Sequence, residues 1–118
     1  MALAQQGFQL SIHPTYTDLV GSGAAGVPVG QIWRVVGINL CNRTDDSVRF
    51  RLNWIDRSAS NAVTTVADFD VIPGIPYSPM ELELVLHAGD RLQALSGDAT
   101  TPGTAGDIHA VVTTDDGT

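Results

Sequence analysis

Apolar and polar residues alternate most regularly just before the middle of the chain. Val48, Phe50, Leu52 and Trp54 fall on one face there, and Arg49, Arg51 and Asn53 fall on the other. Period-two alternation of branched and aromatic residues marks a strand with one buried face. The stretch before it is apolar on both sides. Ile32, Val36, Ile38 and Leu40 take one side, with Trp33, Val35 and Cys41 on the other. That suits a central strand, or one whose outer face meets another subunit. Between the two, Asn42-Arg43-Thr44-Asp45-Asp46 is rich in residues whose side chains bond nearby backbone and favour turns. Residues 31–56 therefore predict an antiparallel hairpin around which the other strands pack.

The flanking segments repeat the pattern in shorter pieces. Residues 7–14 predict a first strand with Phe8, Leu10 and Ile12 on one face, and Pro14 ends it or places it at a sheet edge. Residues 18–30 hold four glycines and read as a loop, ending in the turn Val27-Pro28-Val29-Gly30. A second loop over residues 57–61 leads into a strand over 63–71, with Ala67, Phe69 and Val71 inward. The two prolines of Pro73-Gly74-Ile75-Pro76 lack ladder donors and exclude a central strand there. Met80, Leu82, Leu84 and Leu86 then alternate with Glu81 and Glu83. A tight turn at residues 87–90 precedes a strand over 91–95. After a flexible loop over 98–106, the last strand covers 107–113, with Ile108, Ala110 and Val112 on one face.

This amounts to about seven short strands with no convincing helix, and turn signals recur roughly every ten residues. The expected fold is all-β: a single antiparallel β-sandwich, jelly-roll or immunoglobulin-like, with a small barrel also compatible. One domain should span residues 1–118, with a mobile N-terminal arm (1–6) and a loose C-terminal tail (114–118).

Composition narrows the chemistry. The chain has 118 residues, thirteen acids, six arginines and no lysine, for a net charge of −7. That balance argues against nucleic acid as the main partner, because phosphate binding uses clustered cations. A lone cysteine, Cys41, cannot form an internal disulfide and reads as a small buried apolar residue. The start MALAQQGFQL has neither a basic region nor a long apolar run, so no secretory signal is expected. No stretch approaches the roughly 18 apolar residues of a spanning helix, and no membrane partner is expected.

Candidate reactive groups are sparse. His13, His87 and His109 could form a metal triad if the fold gathered them, but none lies in a ligand motif, and strand-end polar roles fit better. Asp68 and Asp70 share a strand face about 7 Å apart, a spacing comparable with that of paired glycosidase carboxylates. Only seven aromatics are available to build a sugar cleft, however, and most fall on core faces. The turn acids Asp45, Asp46, Asp90, Asp115 and Asp116 match no calcium loop. There is no nucleophile elbow and no phosphate-binding loop. The expectation is a protein that is not an enzyme and has no cofactor or metal. Its positive features are surfaces. Arg34, Arg49 and Arg51 on one side and Glu81 and Glu83 on the other offer complementary charge between identical subunits. Trp33 and Val35 offer an apolar patch. Solvated strand faces, and burial of Trp33 within the same sandwich, are the alternatives.

Four segments carry a resemblance: V-P-V-G at residues 27–30, L-C-N-R-T at 40–44, I-P-G at 72–74 and L-E-L-V-L-H-A-G-D-R-L at 82–92. Their order and spacing resemble a class of small all-β virion proteins of tailed bacteriophages, over roughly residues 14–112. The chain departs from that pattern in a longer Gly/Ala loop at residues 21–26 and a short C-terminus. The resemblance implies a structural component of the particle, with capsid decoration or cement as the leading role. Such a protein would form a homo-oligomer, a trimer being favoured, bind the major capsid or other virion proteins, and fold in the host bacterial cytoplasm before joining the virion. A neck-, tail- or fibre-associated module is one alternative, and a carbohydrate- or receptor-binding β-sandwich is another.

Overall fold

The alternating stretches become strands, and the turn formers between them become places where the chain changes sheet. A computed structural model of the chain describes residues 3–19, 26–78 and 84–116. Within these there are eight strands: β1 (Leu3–Gln9), β2 (Thr17–Asp18), β3 (Trp33–Asn42), β4 (Val48–Asp56), β5 (Ala62–Val71), β6 (Leu84–Leu86), β7 (Arg91–Ser96) and β8 (Ile108–Asp115). One sheet has the order β1-β8-β3-β6 and the other β2-β7-β4-β5, with every neighbouring pair antiparallel. Only β4 and β5 are consecutive in the chain and adjacent in a sheet. All other connections cross between sheets. This strand order is the eight-stranded jelly roll, and it decides between the two sandwich topologies compatible with the sequence.

The hairpin expected over residues 31–56 does not form. β3 and β4 exist as expected, but they lie in opposite sheets, and residues 43–47 carry the chain across the sandwich. Periodicity reports which face of a strand is buried. Two strands can bury such faces side by side or from opposite sheets, so the pattern could not choose.

A bulge corrects the facing of β3. Its register with β8 slips between Val35 and Gly37, so Val36 is an extra residue without a partner. Val35 points into the core before the bulge, and Ile38 and Leu40 do so after it. Val36 is thereby turned outward, away from the face that simple alternation assigned to it. Cys41, expected to be buried, follows the inward Leu40 and is exposed.

Both ends of the chain hold more structure than expected. Leu3 to Gln6, assigned to an arm, pair with residues 112–115 of β8. Thr114 and Asp115, assigned to a loose tail, belong to β8, and Asp115 is buried. The core between the sheets is built on Phe50, Leu10, Ile38, Leu40, Leu52 and Leu86, all essentially inaccessible to solvent. Among the described residues no helix is long and apolar enough to cross a membrane.

Two buried polar side chains brace the connections. At the end of β3, Asn42 Nδ2 donates to the carbonyls of Asp46 and Val71 at 2.7 and 2.8 Å. Its Oδ1 accepts from the Thr44 N–H and hydroxyl at 2.9 and 2.8 Å. At the opposite end, the Asp90 carboxylate accepts from the Arg57 and His87 N–H groups at 2.9 and 3.0 Å, and from Trp54 Nε1 at 3.3 Å. The strap at Gly26–Val27 docks beside it, with Val27 N donating to Asp90 O and Gly89 N to Val27 O. Gly26 has φ +75°, and a Cβ there would lie 2.5 Å from the Asp90 carbonyl. Only glycine fits.

Candidate functional site

Among the described residues the outer face of the second sheet carries a cluster of four charged side chains. Arg49 and Arg51 point outward from β4 because Phe50 and Leu52 point inward. The β4–β5 register sets Arg49 opposite Asp70 and Arg51 opposite Asp68. Asp68 lies between both guanidinium groups, 2.7 Å from Arg49 Nε and 3.2 Å from a terminal nitrogen of Arg51. Asp70 is more distant, 3.5 Å from Arg49. The Arg49 guanidinium, with that of Arg51, holds the Asp68 carboxyl below the usual carboxylate range against a partial desolvation cost. Hydrogen bonds that Arg51 donates to Tyr16 and Asp68 hold it above its ordinary value, and the bond Arg49 donates to Asp68 does the same for Arg49.

A cleft of about 300 Å³ opens beside this strip, lined by His13, Arg49, Arg51, Asp68, Leu95 and residues 97–100. Sequence patterning offered no sign of it, because two connections distant in the chain build one wall. His13 N donates to Ser96 O, which ties the β1–β2 corner to the end of β7. The loop after β7 is shaped by Asp98, whose Oδ1 accepts from the Thr100 and Thr101 N–H groups at 2.9 and 2.7 Å. Arg51 Nε is buried at this site without a hydrogen-bond partner. The cleft joins planar cationic donors to carboxylate acceptors, an arrangement suited to polar, hydroxyl-rich or zwitterionic groups.

A second groove of about 240 Å³ lies along the edge of β5, lined by Phe69, Asp70, Ile72, Ile75 and Tyr77. The Phe69 and Tyr77 rings meet at 4.9 Å and 52°. Ile72 and Ile75 are each 60% exposed and Tyr77 49%. Backbone bonds between Tyr77 and Leu40 in both directions tie this connection to β3.

The expected interface residues divide. Arg49 and Arg51 are exposed enough to contact a partner, yet already paired within the chain. Arg34 forms an ion pair with Asp115. Trp33 is half-buried, packs on the core and donates through Nε1 to Gln31 Oε1 at 2.6 Å. Val35 is wholly buried, so it belongs to the core and not to an apolar surface patch. Glu81 and Glu83, together with Met80 and Leu82, lie outside the described residues.

The three histidines stand apart. His13 lines the cleft, His87 lies in the β6–β7 turn at the other end of the sandwich, and His109 lies on the outer face of the first sheet. Among the described residues no group of three or more His, Cys, Asp or Glu side chains is placed to hold a metal ion. The chain matches no protein-family model, curated protein or solved structure.

Proposed function

We propose that the chain is a non-enzymatic structural protein of a tailed-bacteriophage virion, a capsid decoration or cement protein that self-associates and binds the head lattice. One observation carries this reading. Three of the four segments that resemble the virion family hold braces of the jelly roll, and the fourth directly follows a braced residue. Asn42 and Thr44 of the L-C-N-R-T segment bond the β3–β4 corner and reach Val71, beside the I-P-G segment. The V-P-V-G strap docks on the A-G-D turn through Val27 and Gly89. The residues that carry the resemblance thus include some that brace this layering, and jelly rolls recur among capsid proteins. Fold alone does not assign a role, so the family resemblance supplies the virion context.

Such a protein would act by many weak contacts summed over a repeating lattice. The test is binding of the purified chain to phage heads lacking it. Co-sedimentation that saturates at a fixed ratio to the major capsid protein, together with greater heat resistance of the head, is expected. Absence of binding to either expanded or unexpanded heads would overturn the reading.

The Tyr77 groove favours a second reading, a carbohydrate- or receptor-binding module. An exposed aromatic ring beside an aspartate is a suitable platform for a sugar. A glycan screen that gives a binder lost on Tyr77→Ala would favour this reading over the first.

A further inference from the structure

A sandwich of two open sheets has four edges, and among the described residues three of them are blunted. β2 and β6 are edge strands of two and three residues. β5 is long, but its register with β4 slips around Val66, and it carries Asp68 and Asp70. Short length, bulges and charge all discourage pairing with another chain. β1 has none of these. It is seven residues of Leu-Ala-Gln-Gln-Gly-Phe-Gln, without charge, proline or bulge, and mostly exposed. Among the described residues β8 is its only strand neighbour.

The hydrogen-bond phase of β1 fixes what the free edge presents. Leu10 N donates to Ile108 O, and the β1–β8 register runs unbroken from Gln9 to Leu3. Backbone groups alternate in direction along a strand, so Phe8, Gln6 and Ala4 face β8. Leu3, Gln5, Gly7 and Gln9 face away, each with one N–H and one C=O.

We propose that this edge pairs with β1 of a second copy of the chain about a two-fold axis at Gln6, joining the two β1-bearing sheets into one. Antiparallel pairing with Gln6 opposite itself sets Leu3 opposite Gln9 and Gln5 opposite Gly7. In that register every outward residue meets another outward residue, and all their N–H and C=O groups are satisfied at once. A register displaced by one residue would set outward groups against inward ones.

The self-matching register singles out a second copy as the occupant, and charge does not oppose it at this edge. Each chain carries −7, so two copies repel wherever acidic surfaces meet, but β1 brings no charge to the contact. The carboxylate opposite Leu3, that of Asp115, is paired with Arg34. Gly7 keeps the outer face low at the centre, because a side chain there would lie 2.9 Å from His109 Nε2. The pairing rests on strand geometry and holds whether or not the protein belongs to a virion. It sets a dimer, or an even assembly built from dimers, in place of the trimer favoured from the sequence.

The test combines solution mass with amide exchange on the full chain. Light scattering should give twice the 12.4 kDa chain mass, with no weakening in added salt, because no ion pair forms and salt screens the repulsion between the two acidic chains. Gln5→Pro removes one outward N–H per copy while sparing the bonds to β8. It should weaken association about thirtyfold or more and leave the thermal midpoint of the monomer within a few degrees. In the wild-type dimer the Leu3, Gln5, Gly7 and Gln9 amides should exchange at least about tenfold more slowly than at dilutions where the chain is monomeric. This readout keeps the proposal testable should the proline variant fold poorly. A single-chain mass at the highest soluble concentration, a trimer, an assembly untouched by Gln5→Pro, or unprotected odd-numbered amides would each overturn the proposal.

Discussion

Asp90 illustrates how a single side chain can hold several segments. Its carboxylate is buried and collects donors from the Trp54 ring, the Arg57 backbone and the His87 backbone. Asp90→Ala would leave these donors without their acceptor, at a cost of roughly 3 kcal/mol. Urea unfolding should show a lower midpoint with an unchanged slope, because the loss is local and the area exposed on unfolding stays the same. Cys41 makes the opposite case. Its exposed thiol should react fully with a thiol reagent in the native protein, without denaturant, and Cys41→Ser should change stability by less than about 0.5 kcal/mol. A thiol that reacts only after unfolding would contradict its place on the strand. The composition pointed to a buried cysteine, and the bulge at Val36 reversed that by shifting the phase of β3.

The β4–β5 pair is the element where sequence alternation and structure agree most closely. The inward Phe50, Leu52 and Phe69 and the outward Arg49, Arg51, Asp68 and Asp70 all follow from period two. The alternation gave the faces, but the pairing of each arginine with its aspartate needed the register. That pairing predicts a pH dependence. The Asp68 carboxyl is held below its ordinary value in the folded chain, so the unfolded chain takes up its proton first as pH falls. The stabilisation is complete above the ordinary range near 4 and fades as pH drops through the lowered value. Asp68→Asn should therefore be less stable than the wild type at pH 6, by under about 1 kcal/mol for so exposed a pair. The difference should shrink toward pH 2, as thermal midpoints of the two proteins at each pH would show. A gap that widens in acid would refute the assignment.

For the whole molecule, topology governs how the chain reaches its fold. Among the described strands a single connection, β4 to β5, joins neighbours in a sheet, and every other strand pairs with one distant in sequence. Loop closure must precede almost all of these contacts, which places refolding in the range of milliseconds to seconds. Stopped-flow fluorescence would follow it through Trp33 and Trp54, both packed against the core. A main phase faster than about a millisecond would mean that the sheets do not assemble in this order. The same crossing connections explain the cleft beside Arg49 and Arg51. It forms where the β1–β2 corner and the β7–β8 loop arrive side by side, and neither stretch announces the other.

The sequence by itself determined the strand-forming stretches of β3 to β8, the inward faces of β4, β5 and β8, most breaks between them and the two-layer all-β class. Side-chain period and turn chemistry are local properties, so they can be read without knowing what a strand will meet. It also contained the bracing residues Asn42, Thr44, Gly89 and Asp90, recognisable as a pattern though not as braces. Tertiary structure decided what depends on partners: that β3 and β4 lie in opposite sheets, that Leu3 to Gln6 form an edge, and that Val35 is core while Cys41 is surface. An apolar face is satisfied by any complementary face, and one inserted residue inverts every side chain beyond it. The neighbour and the phase were therefore set only when both sheets closed over a common core.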